Sequence, residues 1–318
     1  MILVTGANGF VGRSLCAALV SSGQTVVAAT RHALAATGPH ISNFQISTLA
    51  ADTDWQGGLR GCDAVVHLAA RVHVMADTAT DPLTEFRRVN VEGTLNLARQ
   101  AVAAGVRRFV FISSIKVNGE STPLEQAFAA DDVADPQDPY GISKHEAEVG
   151  LRRLAAESGM EVVIIRPPLV YGPGVKANFQ SMMRWLKRGV PLPLGAICNK
   201  RSLIALDNLV DLIITCLDHP AAANQVFLAG DGEDISTPEL LRRLGFALGK
   251  PARLLPVPVS LLMASASLVG RRDIAQRLCE SLQVDISKAR NVLGWNPPIS
   301  VDEGLCWTAQ SFLAAVTK

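Results

Sequence analysis

The sequence predicts an α/β chain built on a doubly wound parallel sheet with a smaller C-terminal lobe. Two observations predict it. Five short runs are almost continuously apolar and rich in Val and Ile, as strands covered on both faces are: ILVTG, TVVAAT (25–30), DAVVHLAA (63–70), RFVFISS (108–114) and EVVIIRPPLVYG (161–172). Among them lie amphipathic stretches of helical length that end near a glycine: GRSLCAALVSSG, VNVEGTLNLARQAVAAG and SKHEAEVGLRRLAAESG. That βαβα rhythm closes into a parallel sheet whose ligands sit at the carboxyl ends of the strands.

After about residue 170 the rhythm breaks. Prolines and glycines cluster in RPPLVYGPG and GVPLPLGA, and helices are expected over 178–188, 207–217, 237–248, 258–270 and 302–315. The expected division is a first domain over 1–170 and a lobe over 171–318, some of whose segments return to the first domain. A chain of 318 residues with 48% hydrophobic content can bury such a core. Its net charge of +1 and lack of single-sign charge blocks argue against a nucleic-acid partner. The apolar stretch VPVSLLMASASLVG (257–270) is too short to span a bilayer and reads as a buried or interfacial helix, burial being the favoured reading. No basic segment followed by a cleavable apolar run opens the chain, and the six cysteines are scattered without a CxxC pair. Both suit reduced thiols in a cytoplasmic protein. No His or Cys spacing suggests a metal site.

The segment VTGANGFVGRSL places Gly6, Gly9 and Gly12 directly after the first strand. A GxxGxxG turn opening a helix lets backbone N–H groups approach a pyrophosphate, so a dinucleotide is expected here; a plain tight turn is the structural alternative. The second strand ends AATRH, with Thr30 where NAD binding calls for an acid and Arg31 beside it. A guanidinium without a competing carboxylate suits a 2′-phosphate, which favours NADP(H) over NAD(H).

In DPYGISKHEAE, Asp138 is a good N-cap and Pro139 a good first helical residue. Tyr140 and Lys144 then share one helix face. A nearby ammonium and an oxidised nicotinamide would both favour the phenolate, bringing a phenol of pKa ~10 toward the useful range for proton transfer. Ser113 and Ser114 end the preceding strand, where a hydroxyl can hold a substrate oxygen against the tyrosine.

Taken together, these motifs resemble the extended short-chain dehydrogenase/reductases of the NAD(P)-dependent sugar epimerase/dehydratase family. The resemblance covers nearly the whole chain, through TGANGFVG, HLAA (67–70), VNVEGTLNL (89–97), SSIKVNG (113–119), YGISK (140–144), RPPLVYGPG (166–174), RSLIALDNLVD (201–211) and VDISKARNVLGWNP (284–297). It implies a Rossmann-type fold and a catalytic set of Ser114, Tyr140 and Lys144. Implied cofactor contacts come from Gly6, Asn8, Gly9, Phe10, Val11 and Gly12, from Arg31, Leu49, Leu68, Ala69 and Ala70, and from Asn90, Ile112, Tyr140, Lys144 and Pro167. Implied substrate contacts are Ser114, Lys116, Tyr140, Asn178 and Arg201, the last two on the diphosphate of a UDP-sugar. Structural alternatives stand beside these: Asn178 as a helix cap, Arg201 as a surface ion, Lys116 as a solvated lysine.

Within that resemblance the residues after Ser114 are Ile115 and Lys116, not the Asp-Glu pair of 4,6-dehydratases, so elimination is excluded. Thr30–Arg31 argues against a retained NAD, and HLAARVHVM, SSIKVNG and RSLIALDNLVD resemble the branch that reduces UDP-4-keto-6-deoxy-N-acetylhexosamines for surface polysaccharide synthesis, which implies a 4-ketoreductase. A UDP-hexose or UDP-N-acetylhexosamine 4-epimerase retaining NAD is the runner-up. A non-catalytic NADP-binding regulator and a flavonoid- or steroid-type ketone reductase are further alternatives. Two departures from the family are visible: Thr48 replaces an acid near the adenine, and Arg277 stands close to, but not at, the place of a second diphosphate arginine. Family members often form homodimers through a four-helix bundle; Ala147, Leu151 and Leu154 suit that and suit core packing equally.

Overall fold

The computed structural model describes residues 1–32, 38–72, 81–268, 270 and 272–317. The end of the HLAARVHVM motif (73–75) and Val269 of the expected 258–270 helix lie outside the described residues.

The first half carries the five expected strands and three expected helices together with β3, α2 and α3, which the sequence reading did not include: β1 (Ile2–Thr5), α1 (Phe10–Ser21), β2 (Val26–Thr30), β3 (Ile41–Gln45), α2 (Gln56–Leu59), β4 (Ala64–His67), α3 (Pro82–Phe86), α4 (Thr94–Ala103), β5 (Arg108–Ile112), α5 (Pro139–Ser158) and β6 (Glu161–Arg166). With β9 (Val226–Leu228) they form a seven-stranded sheet of order β3-β2-β1-β4-β5-β6-β9, parallel throughout. This is a Rossmann-type sheet, and its order reverses between β1 and β4, where such sheets take their ligands.

The unbroken apolar runs have a geometric cause. Alternate residues of one strand feed different cores. Val4, Val66, Val110 and Ile165 pack with Leu15 and Leu19 of α1 and with α7 (Leu206–Asp218). Leu3, Val65, Phe109 and Ile164 pack with Leu97 of α4 and with Ala147 and Leu151 of α5. Ala147 and Leu151 are therefore core residues of the single chain, with Leu154 partly buried beside them.

The remaining elements are β7 (Leu169–Tyr171), α6 (Ala177–Lys187), β8 (Arg201–Ala205), β10 (Asp234–Ile235), α8 (Thr237–Ala247), α9 (Val259–Leu268), α10 (Arg272–Cys279), α11 (Ser287–Leu293) and α12 (Val301–Thr317). Strands β10-β8-β7 make a small second sheet. Its own core joins Tyr171, Phe179, Leu203, Leu244 and Leu305. The second half is also tied back to the first sheet. β9 pairs with β6, and buried Arg108 at the start of β5 donates to the carbonyls of Cys216, Leu217 and His219 at the end of α7, where a cation suits the helix dipole.

Four expectations need correction. The run 161–172 is two strands, because Pro167–Pro168 cannot continue a ladder. The run 63–70 stops at His67, because the N–H groups of Leu68 and Ala69 turn to the hydroxyl of Thr5. The helix expected from Val89 begins as a π-helix, Arg87–Gly93. The apolar helix near the C-terminus forms as α9, but none of its residues is buried, which overturns the core reading.

One buried ion pair fixes α5 to β6. Glu148 accepts from Arg166 Nη2 at 2.6 Å and Nε at 2.9 Å, with the two side chains 0% and 3% exposed. Ser113 donates to the same carboxylate at 2.6 Å, and Asn118 accepts from Arg166 Nη1 at 2.9 Å. Glu148→Ala strands a buried guanidinium and is expected to lower unfolding free energy by about 3–5 kcal/mol in urea titrations, whereas Glu148→Met with Arg166→Met recovers most of it.

Candidate active site

The turn between β1 and α1 fits a dinucleotide pyrophosphate. Gly6 has φ +66°, and a Cβ on Gly12 would stand 2.2 Å from the Gly6 carbonyl oxygen. Strand and helix therefore meet with no side chain between them. Gly9 is the N-cap of α1 and offers no side-chain acceptor, and the first turn carries no acid. Asn8 stands in this turn, and Phe10 and Val11 open the helix, half-buried against the core. Backbone donors without a side-chain cap are what an anionic diphosphate requires.

The other expected cofactor residues gather at the same strand ends. Leu68 and Ala69 follow β4, and a Cβ on Gly6 would lie 3.1 Å from the Ala69 nitrogen. Ala70 comes next, and the Arg71 backbone is clamped by buried Asn90, which accepts from its N–H at 2.8 Å and donates to its carbonyl at 3.0 Å. Asn90 also donates to Ser143 of α5 at 3.0 Å. It sits in the π-helix, a distortion common at functional sites. Leu49 packs where Gly93 leaves room, a Cβ there meeting it at 2.8 Å. Arg31 is exposed at the end of β2, while the Thr30 hydroxyl donates to the His32 carbonyl and the Asn43 side chain.

Asp138 caps α5, accepting from the Gly141 N–H at 2.6 Å. Its second oxygen pairs with Lys116, which also holds Glu120 at 2.9 Å. Lys116 is thus committed to the helix cap; it is not the solvated lysine of the structural alternative. Gly141 is required because a Cβ would approach the Lys116 carbonyl to 2.7 Å. Tyr140 follows the cap, half-buried, its ring edge-on to Phe86 at 6.0 Å. Ser114, whose Oγ accepts from the Lys116 N–H at 3.3 Å, is near enough to the Tyr140 hydroxyl to favour its phenolate. Ser113 points elsewhere, to Glu148, so the structure separates the two serines. Pro167 borders them through its carbonyl, which accepts from the Ile115 N–H at 3.0 Å.

Lys144 lies buried behind Tyr140. Its Nζ donates to the Ile112 carbonyl at 2.7 Å and stands 4.3 Å from the Phe111 ring centroid. Burial pulls its pKa from 10.5 to about 7, and Glu148 opposes that fall. The expected lowering of Tyr140 by this ammonium is corrected accordingly. Burial, then the Asp138 charge, push the phenol up to about 12, with the Ser114 hydroxyl opposing. A lysine this weakly charged supplies little field to its neighbour. His67, buried between Thr5 and Thr94, is driven down to about 3 by burial and then by Lys144, so it stays neutral.

Two expected substrate residues lie in the second half. Asn178 is exposed inside the first turn of α6, whose N-cap is Lys176, so it does not cap that helix. Arg201 opens β8 and donates to the carbonyls of Arg277 at 2.8 Å and Glu280 at 3.1 Å. Burial lowers its pKa; Glu280 opposes this and the charge of nearby Arg277 reinforces it. Arg277 therefore does come next to Arg201, a proximity the sequence register hid. Glu148, Arg166 and Asn118 were also missed; the one signal was an acid four residues beyond Lys144 on the same face.

Lys144 generates a pH prediction. The unfolded chain keeps this proton to about pH 10.5, the fold only to about pH 7. Between those values the unfolded state binds more protons, so stability contributed here rises with pH and is lost as pH falls. Lys144→Met is expected to flatten the urea midpoint across that window; an unchanged slope would mean the lysine stays charged in the fold.

The profile of the NAD dependent epimerase/dehydratase family matches residues 2–230. A UDP-glucose 4-epimerase of Vibrio cholerae is 52% identical over 316 residues, 99% of this chain and 96% of that one. An N-acetyl-alpha-D-glucosaminyl-diphospho-ditrans,octacis-undecaprenol 4-epimerase of Escherichia coli O157:H7 is 27% identical over 330 residues, 97% and 94% of the two chains. The solved structure of MoeE5 in complex with UDP-glucuronic acid and NAD superposes with a TM-score of 0.78 at 27% identity, 99% of each chain being covered. That structure holds NAD, so the NADP preference read from Thr30–Arg31 finds no support in it. With the glycine turn, the Tyr140–Lys144 helix and a full-length likeness in agreement, the chain belongs to the NAD-dependent epimerase/dehydratase family of enzymes.

Proposed function

We propose that the chain is a 4-epimerase of a UDP-hexose or UDP-N-acetylhexosamine. The observation that carries this reading is the 52% identity, over 99% of the chain, with a protein named UDP-glucose 4-epimerase. That relative and the E. coli one share inversion at C4 of a sugar carried on a diphosphate. This favours the runner-up of the sequence reading over net reduction.

The bound dinucleotide supplies the hydride acceptor and donor for C4. The chain's own groups do the rest. Gly6, Gly9 and Gly12 hold the pyrophosphate on the α1 N-terminus. As the phenolate, Tyr140 takes the proton from the C4 oxygen, and as the phenol so formed it returns that proton, acting as base and then as acid. Ser114 holds that oxygen against the phenol. Lys144, with a pKa near neutrality, balances the proton held at Tyr140. Arg201, with Arg277 beside it, binds the sugar diphosphate, and Asn178 adds a polar contact. Asn90 and Lys116 are positioning residues, acting through Ser143 and Asp138.

An NADPH-dependent 4-ketoreductase is the second reading, favoured by one observation: exposed Arg31 at the end of β2, with no carboxylate at Thr30.

Purified protein incubated with UDP-glucose and no added dinucleotide is expected to form UDP-galactose, read by anion-exchange chromatography. Tyr140→Phe is expected to lose about 10²–10⁴-fold in kcat while its circular dichroism is unchanged. Stoichiometric NADPH oxidation on a UDP-4-keto-sugar, without epimer formation, would replace the epimerase with the reductase.

A further inference from the structure

Helix α9 is apolar but not a core helix. Leu261 is 61% exposed and Leu268 89%, and they stand two turns apart on one face with exposed Ala264 and Ser265 between them. Ser265 and Ser267 return their hydroxyls to the Leu262 and Met263 carbonyls at 2.9 and 2.8 Å, so these donors need no water. Helix α9 packs on α10, where Ile274 is 54% exposed. An apolar face of this kind on a folded chain calls for a partner.

The surrounding charge says which. Between Arg243 and Asp273 the sequence has no acid, yet it carries Lys250, Arg253, Arg271 and Arg272. Of these, Lys250, Arg253 and Arg272 are exposed, as is Arg277 one turn beyond. The chain as a whole is only +1, so the excess is local. The segment leading into α9 is held by main-chain bonds to the loop after α6: Leu192 N–H donates to Arg253 and Leu255 N–H to Leu192, both at 2.8 Å. That helix ends in basic Arg184 and Lys187 and exposes Trp185. Exposed apolar side chains flanked by exposed cations on both sides of α9, with an exposed aromatic on the helix whose following loop bonds to the segment before α9, match the interfacial layer of an anionic bilayer. A second copy suits the face less well, since a two-fold contact would set arginines against arginines. None of the described helices is long and apolar enough to cross a membrane.

We propose that the α9–α10 hairpin docks the protein on anionic phospholipid membranes, its leucines entering the headgroup layer and its arginines holding lipid phosphates. The far end of the hairpin supplies the carbonyls that hold Arg201, so docking sets that arginine beside the membrane. The proposal stands whichever sugar chemistry the enzyme performs.

The test is co-sedimentation of the full chain with phosphatidylcholine vesicles and with equal mixtures of phosphatidylcholine and phosphatidylglycerol. Wild type is expected to bind the mixed vesicles and to release as salt screens the arginines. Leu261→Glu with Leu268→Glu is expected to bind about tenfold more weakly or less, with unchanged thermal unfolding, since both sites are exposed. Arg253→Gln with Arg272→Gln leaves the apolar face intact and is expected to lose the preference for phosphatidylglycerol. Absence of vesicle binding by wild type overturns the proposal, as does equal binding by all three proteins. Self-association that the leucine variant abolishes, without vesicle binding, assigns the face to a second copy and overturns it too.

Discussion

Three ionisable side chains stand at four-residue spacing on one face of α5, half-buried Tyr140 and fully buried Lys144 and Glu148, and much of the structure serves to keep them there. Each meets a different neighbour. Ser114 stands beside the phenol and favours its phenolate, the Ile112 carbonyl takes the ammonium, and Arg166 takes the carboxylate. Removing charge from water is costly unless every group is matched. The matching partners come from the ends of β5 and β6, so the carboxyl edge of the sheet is both the binding edge and the set of counter-groups that makes α5 tolerable there.

The opposite side of the crevice is built from backbone. Gly6 and Gly12 allow β1 and α1 to close without a side chain between them, and Thr5 gathers the Leu68 and Ala69 N–H groups that would otherwise extend β4. His67 is kept neutral in this wall, bonded to Thr5 and Thr94. A charge there would compete with the dinucleotide and with Lys144. The two walls meet through Asn90, which bonds the Arg71 backbone on one side and Ser143 of α5 on the other.

Much of this was legible in the sequence because it rests on local rules. Alternating apolar runs and glycine-ended helices gave the sheet, Asp138–Pro139 gave the start of α5, and i,i+4 spacing gave Tyr140 with Lys144. The illegible parts depend on distant contacts. Nothing in RPPLVYGPG says that Arg166 reaches Glu148, and nothing in SSIKVNG says that Lys116 turns to Asp138. The apolar composition of α9 read as core because composition reports hydrophobicity, not whether anything lies against it. The effect of Lys144 on Tyr140 was misjudged for a related reason: spacing gives proximity, whereas burial decides how much charge the lysine retains.

The chain alone holds Tyr140 protonated, and an oxidised dinucleotide on the glycine cradle is expected to make that proton mobile. The chain has only two tyrosines, and burial together with Asp231 pushes Tyr171 higher still. Ultraviolet difference titration of phenolate absorbance therefore reports Tyr140. Without dinucleotide the signal is expected only near pH 12; with NAD⁺ its onset is expected to fall by about one pH unit or more. The same onset with and without saturating NAD⁺ would contradict the account.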